Sequence, residues 1–432
     1  MVLIESLASG GEGIGHLADG RVVFVHETCP GDEVEIEILA EKKRWASAKV
    51  TRIVEPSPDR VKPPCPYFGT CGGCQWQHVA YPAQLLAKKR IVADALERIG
   101  GIPTGDIVAE CEPSPSTFGY RNKIELVPLP DGPLRLGFHR LGSEDVLEIG
   151  RCLLLPEAYQ RAPERLAGAL RYASGTQDLG IRRVGLRVAA NTSDVEVALW
   201  TPPSAFPRGT VATTLKDSVK ATSVVRVLAK DAHERHTAAN VEVLAGRGFW
   251  REALGGLTYA VSAPSFFQVN TGAAEVLVDE ARGAAAADGS DDVLDLYAGV
   301  GTFTLPLADD ARSVTAVEGS GFALRDLRRN LETAHRDAEV IAGDAAHSLG
   351  NIGRFDAVLV DPPRAGLPTA DIRGIAATGA SRIVYVSCDP ATLARDARAL
   401  HESGYRLVSA VPVDLFPQTY HVETVALFAA SA

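Results

Sequence analysis

The stretch Asp292-Val-Leu-Asp-Leu-Tyr-Ala-Gly-Val-Gly-Thr302 decides the fold of the carboxyl-terminal part of the chain. It opens like a strand that is buried on both faces of a sheet, and glycines follow where the backbone must turn sharply. Similar apolar runs recur near 313–317, 355–360 and 382–386, separated by segments of helical pattern. This rhythm predicts a mostly parallel sheet with helices on both faces.

The regions before this sheet have a different character. Residues 1–57 contain several short strand patterns, among them Val34-Glu-Ile-Glu-Ile, which predict a small β-barrel of the kind that grips nucleic acid. A proline-containing linker and a helical pattern from Tyr81 to about Gly100 follow. From about 113 to 255, strands alternate with polar turns as in an α+β domain. We therefore expect a multidomain α/β protein.

Length, charge and apolar runs limit the functional class. At 432 residues the chain should hold two or three domains, and its net charge of −10 argues against indiscriminate nucleic-acid binding. Local basic patches remain possible at Lys42-Lys43-Arg44-Trp45 and Lys88-Lys89-Arg90, unless these are simply solvated charges. No apolar run approaches the roughly 20 residues of a membrane span, and no signal peptide is visible. We expect a cytoplasmic protein with no membrane association and no obligate protein partner.

The glycines of the first parallel strand indicate a nucleoside-binding site. Glu318, at the end of the second strand, suits the two hydroxyls of a ribose, or else is an exposed strand-end carboxylate. A dinucleotide site usually has a third glycine where the helix meets the pyrophosphate, whereas Phe303 and Thr304 stand here. S-adenosylmethionine has no phosphate and is favoured. Asp344, near the same sheet edge, could contact the adenine or solvent.

Three segments with polar residues share that edge. Cys388 stands at a strand tip between Ser387 and Asp389, a polar turn that favours a nucleophile over a buried core cysteine. Asp361, before two prolines, could bind the uracil edge or the cofactor, or cap its turn. Glu423 leads into the last strand.

A cysteine and a glutamate together suit methylation of a pyrimidine carbon. Carbon 5 of uracil becomes nucleophilic only after a thiolate adds to carbon 6, and a base must then remove the hydrogen at carbon 5. Cys388 and Glu423 are the residue types for these two roles. A target base in folded RNA must be flipped out or presented in a loop.

With these residues in view, the chain resembles the RNA 5-methyluridine methyltransferase family, which modifies bacterial transfer and large-subunit ribosomal RNA. The resemblance covers nearly the whole length and implies a Rossmann-like class I methyltransferase domain. It rests on Phe266-Phe-Gln-Val-Asn270, Asp295-Leu-Tyr-Ala-Gly-Val-Gly301, Asp361-Pro-Pro-Arg-Ala-Gly366, Ser387-Cys-Asp-Pro-Ala-Thr-Leu-Ala-Arg-Asp396 and His421-Val-Glu423.

The resemblance also implies roles for single residues. Cys388 matches the nucleophile and Glu423 the base, while Arg121 resembles an arginine that approaches the target base. Thr302 stands where members often have asparagine. The predicted cofactor-binding residues are Gln268, Tyr297, Thr302, Glu318, Asp344 and Asp361.

A cysteine cluster precedes the helical segment. The spacing of Cys65, Cys71 and Cys74 suits iron–sulfur or zinc, and does not choose between them. The family resemblance favours a 4Fe–4S cluster with Cys152 as fourth ligand, shaping the middle domain. The spacing usual for radical S-adenosylmethionine enzymes is absent, so a radical mechanism is not expected. Cys29 and Cys111 receive no role.

The resemblance divides the chain into three domains and suggests a substrate. The barrel resembles the TRAM domain, an RNA-binding module, and the cluster with the barrel favours ribosomal over transfer RNA. The predicted domains are 1–57 for the barrel, 58–79 with 113–256 for the iron–sulfur and RNA-binding domain, and 80–112 with 257–432 for the methyltransferase domain.

The pattern has one enzymatic and one non-enzymatic alternative. A cytosine methyltransferase also uses cysteine, though in other sequence surroundings, and an amino-group methyltransferase usually has an aromatic residue where Arg364 follows Asp-Pro-Pro. The non-enzymatic alternative is an RNA-binding iron–sulfur protein with a decayed catalytic domain. The presence of Cys388, Glu423 and Asp361 argues against it.

Overall fold

The first strands of the protein close into a small barrel. The computed structural model describes residues 1–130, 132–229, 238–350 and 352–431. Strands β1 and β2 lie at opposite edges of one sheet in the order β1-β5-β6-β4-β3-β2, yet only two residues separate them, so the same chain brings both edges together. The strands are β1 (Val2–Leu3), β2 (Ser6–Leu7), β3 (Gly13–His16), β4 (Val22–His26), β5 (Glu33–Glu41) and β6 (Trp45–Glu55).

The middle region is a mixed sheet with helices on one face. Its order is β13-β12-β11-β10-β7-β8-β9, and only β11 and β12 run parallel among these pairs, joined through helix α3. Helices α2 and α3 pack together and share an apolar core with the sheet. Helix α1 (Tyr81–Ala95) precedes the middle region in the chain. The elements of the middle region are β7 (Lys123–Pro128), β8 (Leu136–His139), β9 (Val146–Glu148), α2 (Ala162–Ser174), β10 (Arg183–Val188), β11 (Val195–Thr201), α3 (Arg208–Val219), β12 (Ser223–Ala229) and β13 (Ala238–Ala245).

The carboxyl-terminal part contains the predicted parallel sheet. Its order is β18-β17-β16-β19-β20-β22-β21, parallel from β18 to β20 and antiparallel at β22 and β21. The elements are β14 (Trp250–Leu254), β15 (Leu257–Val261), α4 (Thr271–Ala285), β16 (Asp292–Leu296), α5 (Thr304–Asp310), β17 (Ser313–Glu318), α6 (Gly321–Ala334), β18 (Glu339–Ala342), α7 (Ala345–Leu349), β19 (Ala357–Val360), α8 (Thr369–Ala377), β20 (Arg382–Ser387), α9 (Pro390–Glu402), β21 (Tyr405–Val413) and β22 (Glu423–Ala430).

This sheet has the properties expected from its sequence. Separate apolar cores cover its two faces, as predicted for a doubly wound domain. The strand order reverses between β16 and β19, and ligands of such sheets bind in the crevice at the carboxyl ends of the strands next to this point. The predicted multidomain α/β fold is confirmed. None of the helices in the described ranges combines the length and apolar character that a membrane span requires.

Helix α1 and a following π-helical turn, Leu96–Gly100, pack against α9 and β21 of the parallel sheet. Lys88 of α1 is fully buried, and its ammonium lies 2.5 Å from the Asp414 carboxylate. The suggestion that Lys88-Lys89-Arg90 forms a basic surface patch is therefore wrong for Lys88. Three adjacent basic residues on a helix point in different directions, so one of them faced the interior.

Candidate active site

Cys388 and Glu423 are brought together by strand register. Ser387 of β20 pairs with Thr424 of β22 in antiparallel fashion, and Cys388 and Glu423 are the next residues on the two strands at this end of the pairing. The charge of Glu423 raises the pKa of Cys388, as expected for two neighbouring groups. Opposed residues of such strands have Cα atoms about 4.5–5.5 Å apart. The 35-residue separation in sequence between a predicted nucleophile and a predicted base thus becomes a single cross-strand step.

The turn after β20 holds the thiol at the sheet edge. Asp389 caps helix α9, because its carboxylate accepts hydrogen bonds from the backbone N–H groups of Ala391 at 2.9 Å and Thr392 at 3.0 Å. The hydroxyl of Ser387 donates to the Asp389 carbonyl at 3.0 Å. Cys388 lies between the strand end and the positive end of the α9 dipole, where an anion such as a thiolate is favoured.

Burial dominates the electrostatics of both groups. It raises the pKa of the Cys388 thiol to about 12, and the nearby Glu423 carboxylate adds to this effect. Burial likewise raises the pKa of Glu423 to about 8, with a further increase from Asp361 and an opposing effect of Arg364. The charges of Asp361 and Arg364 therefore act on the pKa values of both groups. Such shifted carboxyl groups are typical of general acids and bases.

Asp361 and Arg364 complete this part of the site. Burial, with a smaller contribution from Asp295, raises the pKa of Asp361 to about 7. The Arg364 charge lowers the pKa of Cys388, which opposes burial and favours the thiolate. The Arg364 guanidinium donates to Nδ1 of His421 at 3.5 Å, and burial lowers the pKa of His421 to about 4.

The predicted cofactor loop is tied to the end of β17. The N–H of Gly299 donates to the Glu318 carboxylate at 2.8 Å, which joins the glycine turn to the residue expected to bind ribose. Tyr297 has a φ of 62°, a left-handed conformation that is rare for a tyrosine and typical of functional sites. Its hydroxyl donates to Asp371 at 2.6 Å. This carboxylate also has a buried oxygen that lacks a hydrogen-bond partner within the described part of the chain.

The remaining predicted cofactor residues differ in their surroundings. Gln268 is buried, and its backbone carbonyl accepts a hydrogen bond from the Asn122 side-chain amide at 2.9 Å. The Thr302 carbonyl accepts from the Tyr259 hydroxyl at 3.4 Å. Asp344 is exposed and caps α7, because its carboxylate accepts from the N–H of His347 at 2.7 Å. The cap explains why an aspartate stands there and leaves its second oxygen available for a ligand.

A cavity of about 690 Å³ adjoins the chemistry site. Arg364 and His421 line it on the side of the parallel sheet, and Arg121 and Lys123 line it on the side of the middle domain. Its aromatic wall consists of Tyr67, Phe68, Phe138, Phe416 and Tyr420. Basic and aromatic side chains in one concave surface suit an RNA strand, whose phosphates and unstacked bases they can contact.

The four predicted cluster cysteines line the same cavity: Cys65, Cys71, Cys74 and Cys152. All four are free cysteines. Burial raises the pKa of the Cys74 thiol to about 12, and charges on the other three cysteines add to this effect. Within the described ranges, however, no three or more histidine, cysteine or acidic side chains are arranged so that they could hold a metal ion. The cysteines converge without adopting a ligating geometry, so the 4Fe–4S cluster stays a prediction.

Some site residues were not found from the sequence. Asp371 contacts Tyr297 from helix α8, 74 positions away, and no local pattern marks it. Arg364 and His421 were noted only as parts of motifs, yet both lie at the boundary between the thiol and the cavity. Their signal in the sequence is a position within three residues of a predicted site residue, His421 before Glu423 and Arg364 after Asp361.

Three family descriptions match parts of the chain. Residues 1–51 match the TRAM domain, residues 271–372 the methyltransferase small domain, and residues 351–431 the tRNA (Uracil-5-)-methyltransferase family. The last range contains Asp361, Cys388 and Glu423. The first confirms the resemblance of the barrel to TRAM.

Proteins similar over the whole length support the same assignment. An uncharacterized RNA methyltransferase of Thermosynechococcus vestitus is 36% identical, covering 99% of this chain and 97% of the relative. An uncharacterized RNA methyltransferase of Thermotoga maritima is 35% identical, covering 98% of this chain and 97% of the relative. The crystal structure of Pyrococcus abyssi tRNA (uracil-54, C5)-methyltransferase in complex with S-adenosyl-L-homocysteine has a TM-score of 0.77 and 30% identity, and covers 99% of this chain and all of that chain (100%).

Proposed function

The chain belongs to the family of S-adenosylmethionine-dependent RNA (uracil-5-)-methyltransferases, and from this premise we propose that it methylates carbon 5 of a specific uridine through a covalent adduct. Cys388 is the proposed nucleophile and Glu423 the proposed base. The proposal rests on the pairing of β20 with β22. Ser387 lies opposite Thr424 there, so their neighbours Cys388 and Glu423 come close to each other at the edge of the sheet proposed to bind the cofactor.

In the proposed reaction the thiol first loses its proton to solvent. The Cys388 sulfur then bonds to carbon 6 of the uracil, and the electrons of the carbon 5–carbon 6 double bond form an enolate. A bound S-adenosylmethionine would supply an electrophilic sulfonium methyl group. Carbon 5 accepts this methyl group as the sulfur–methyl bond breaks, and the sulfur keeps the bonding electrons as the thioether of S-adenosylhomocysteine. The Glu423 carboxylate removes the proton from carbon 5, the sulfur–carbon 6 bond breaks, and the double bond is restored.

The proposed cofactor-binding residues surround the edge where this chemistry takes place. Glu318 takes the ribose hydroxyls, and Tyr297, Thr302, Asp344 and Gln268 contact the rest of the molecule. Their fit is supported by the glycine turn bonded to Glu318 and by the polar groups at the carboxyl ends of β16 to β19. Asp361, kept partly neutral by burial, is suited to hydrogen-bond the uracil edge or the cofactor.

We propose the basic and aromatic cavity as the path of the RNA strand, with Arg121 near the target base. Ribosomal RNA is the proposed substrate, as the sequence favoured. The Pyrococcus abyssi relative is a tRNA (uracil-54, C5)-methyltransferase, so transfer RNA is the competing outcome. The domain boundaries and the cytoplasmic location predicted from the sequence are part of this proposal.

The activity is tested with labelled S-adenosylmethionine and undermodified RNA. We expect 5-methyluridine in nuclease digests of one RNA class, and none with Cys388→Ala, which should lose at least about 10⁴-fold in turnover while it still binds S-adenosylhomocysteine. Parallel reactions with ribosomal and transfer RNA identify the substrate class. Label recovered in cytosine or in an exocyclic amine would contradict the proposal, as would full activity of the Cys388→Ala variant.

We further propose that Cys65, Cys71, Cys74 and Cys152 hold a 4Fe–4S cluster. Support comes from their convergence on one cavity and from the chemistry of four thiols, which suits iron–sulfur ligation. The cluster would tie the 65–74 segment to the middle domain beside the RNA path. Iron and sulfide content and visible absorption of anaerobically purified protein test this, with Cys29→Ser as a control for a buried cysteine outside the set.

A further inference from the structure

The segment 262–265 leads from β15 to Phe266-Phe-Gln268, and it belongs to no strand. Without a strand partner, its backbone groups must find hydrogen bonds elsewhere. Phe266, which follows directly, is 64% exposed, and Gln268 is buried. The conformation of this short segment therefore decides where a predicted cofactor residue and an exposed aromatic ring are presented.

Arg187 binds the segment from the middle domain. This residue of β10 is buried, and its guanidinium donates to the Ser262 carbonyl at 2.9 Å and the Ser265 carbonyl at 2.6 Å. The same group lies 5.6 Å from the centre of the Trp250 ring and 3.6 Å from Glu196, which compensates its charge. A planar fork that spans two carbonyls is a geometry that lysine cannot reproduce.

Asp326 binds the same two serines from the methyltransferase side. This residue of α6 is fully buried. Its carboxylate accepts from the Ser262 N–H at 2.8 Å, from the Ser262 hydroxyl at 2.7 Å and from the Ser265 hydroxyl at 2.6 Å. The carbonyls of the turn thus face an arginine of one domain, while its donors face an aspartate of the other.

The next anchor lies just beyond Gln268. Asn122 of the middle domain donates from its side chain to the Gln268 carbonyl at 2.9 Å and from its N–H to the Val269 carbonyl at 2.8 Å. Val269 itself lines the RNA cavity. The segment is therefore fixed at both ends, and Phe266 and Gln268 lie between the fixed points.

We propose that Arg187 and Asp326 are positioning residues for the cofactor site, which hold the 262–265 turn so that Gln268 meets the methyl donor. The inference rests on the proposed cofactor role of Gln268. It assigns to two residues outside the catalytic edge an effect on donor affinity. The effect is exerted through the backbone, because neither side chain is needed to touch the donor itself.

The test is calorimetric titration of S-adenosylhomocysteine into the full-length protein. We expect Arg187→Lys to weaken binding by about ten- to a hundredfold, because a misplaced segment presents Gln268 wrongly. The matched control is Arg226→Lys. Arg226 is also a buried arginine of the middle sheet, donates to the Pro202 and Ser204 carbonyls, and lies 4.3 Å from the Phe206 ring centre. This control should lose similar thermal stability and keep the wild-type affinity.

A second variant and a kinetic readout separate positioning from general damage. Ser265→Ala removes one hydrogen bond to Asp326 and leaves Arg187 satisfied, so it should weaken binding in the same direction by a smaller factor, and it decides the question if Arg187→Lys does not fold. In Arg187→Lys, KM for the donor should rise while the single-turnover rate at saturating donor stays near wild type. Equal affinities in Arg187→Lys and Arg226→Lys would overturn the inference. A wild-type protein that does not bind the ligand would instead contradict the proposed function on which it rests.

Discussion

In the protein without RNA, burial favours the protonated forms of both side chains proposed to react. Burial raises the pKa of Cys388 to about 12 and that of Glu423 to about 8. The proposed reaction needs the thiolate first and the carboxylate later. Arg364 lowers the pKa of both groups, so its charge favours the ionised forms that the proposed reaction needs, and a guanidinium closer to them would favour these forms further.

Replacing the base separates the two halves of the reaction. In Glu423→Gln the thiolate can still add to carbon 6 and carbon 5 can still accept the methyl group, but no carboxylate removes the carbon 5 proton. We expect turnover to fall by about 10²- to 10⁴-fold and a covalent protein–RNA complex to accumulate. Denaturing gels with labelled RNA detect it, and Cys388→Ala in the same background should remove it. Rapid multiple turnover by Glu423→Gln would exclude this residue as the base.

The raised pKa of Glu423 also predicts the pH dependence. Burial raises the pKa of Glu423 in the folded protein from the ordinary 4.5 to about 8. Between these values only the unfolded chain gives up the proton, so the free energy of unfolding falls as pH rises through this window, and the carboxylate that acts as the proposed base forms above about pH 8. The single-turnover rate should therefore rise steeply with pH up to about 8 and more slowly above it, where Glu423 is ionised and only the Cys388 thiol, with a pKa of about 12, still has a proton to lose. S-adenosylhomocysteine affinity over the same range controls for effects on the cofactor site. A rate that does not change between pH 6 and 9 would argue against Glu423 as the titrating base.

At the scale of elements, the strands and their tips could be predicted from the sequence, whereas cross-element contacts could not. Apolar runs that end in polar residues marked Cys388 and Asp361, because parallel strands present their carboxyl ends at one edge, and Glu423 was marked by its position before the last apolar run. The partners Asp371 of Tyr297 and Asp326 of Ser262 lie on helices elsewhere in the chain. Their role depends on packing, and a single sequence carries no local sign of it.

The turn after β16 gives a prediction at this scale. Gly301 has a φ of 93°, and a Cβ added there would lie 2.5 Å from Leu305 Cδ1 and 2.8 Å from Leu327 Cδ1, both in buried side chains. Gly301→Ala should destabilise the protein by about 1–3 kcal/mol and weaken cofactor binding. Gly283→Ala, in the last turn of α4 and with open space around the new Cβ, should instead stabilise by up to about 0.5–1 kcal/mol. Urea unfolding measures both, and a shift of the same sign in the two variants would contradict this account.

At the scale of the whole molecule, charge is distributed unevenly. The chain carries a net charge of −10, yet the cavity next to the active site presents Arg121, Lys123, Arg140, Arg151 and Arg364. The proposed binding of RNA there is local, so it is compatible with an acidic protein that does not attract nucleic acid over its whole surface. Gly10 of the barrel also lines this cavity, so the barrel borders the proposed RNA path.

A buried ion pair is one of the contacts that join helix α1 to the catalytic sheet. Lys88 contacts Asp414 and donates to the Phe416 carbonyl at 3.1 Å, in the segment that leads to His421 and Glu423. Lys88→Met leaves the buried Asp414 carboxylate uncompensated and should lower the free energy of unfolding by about 3–5 kcal/mol. Lys89→Met, the neighbouring control, breaks a partly exposed pair with Glu110 and should change it by less than about 1 kcal/mol.

A second substitution tests whether the uncompensated charge is the cause. Adding Asp414→Asn to Lys88→Met removes the charge and keeps the side-chain shape, so a large part of the lost stability should return, because breaking a buried pair is destabilising chiefly through the charge that remains. Urea unfolding of the single and double variants gives the coupling energy between the two positions. If the double variant is no more stable than Lys88→Met, the ion pair does not hold α1 to the sheet, and the apolar contacts of α1 with α9 must do so instead.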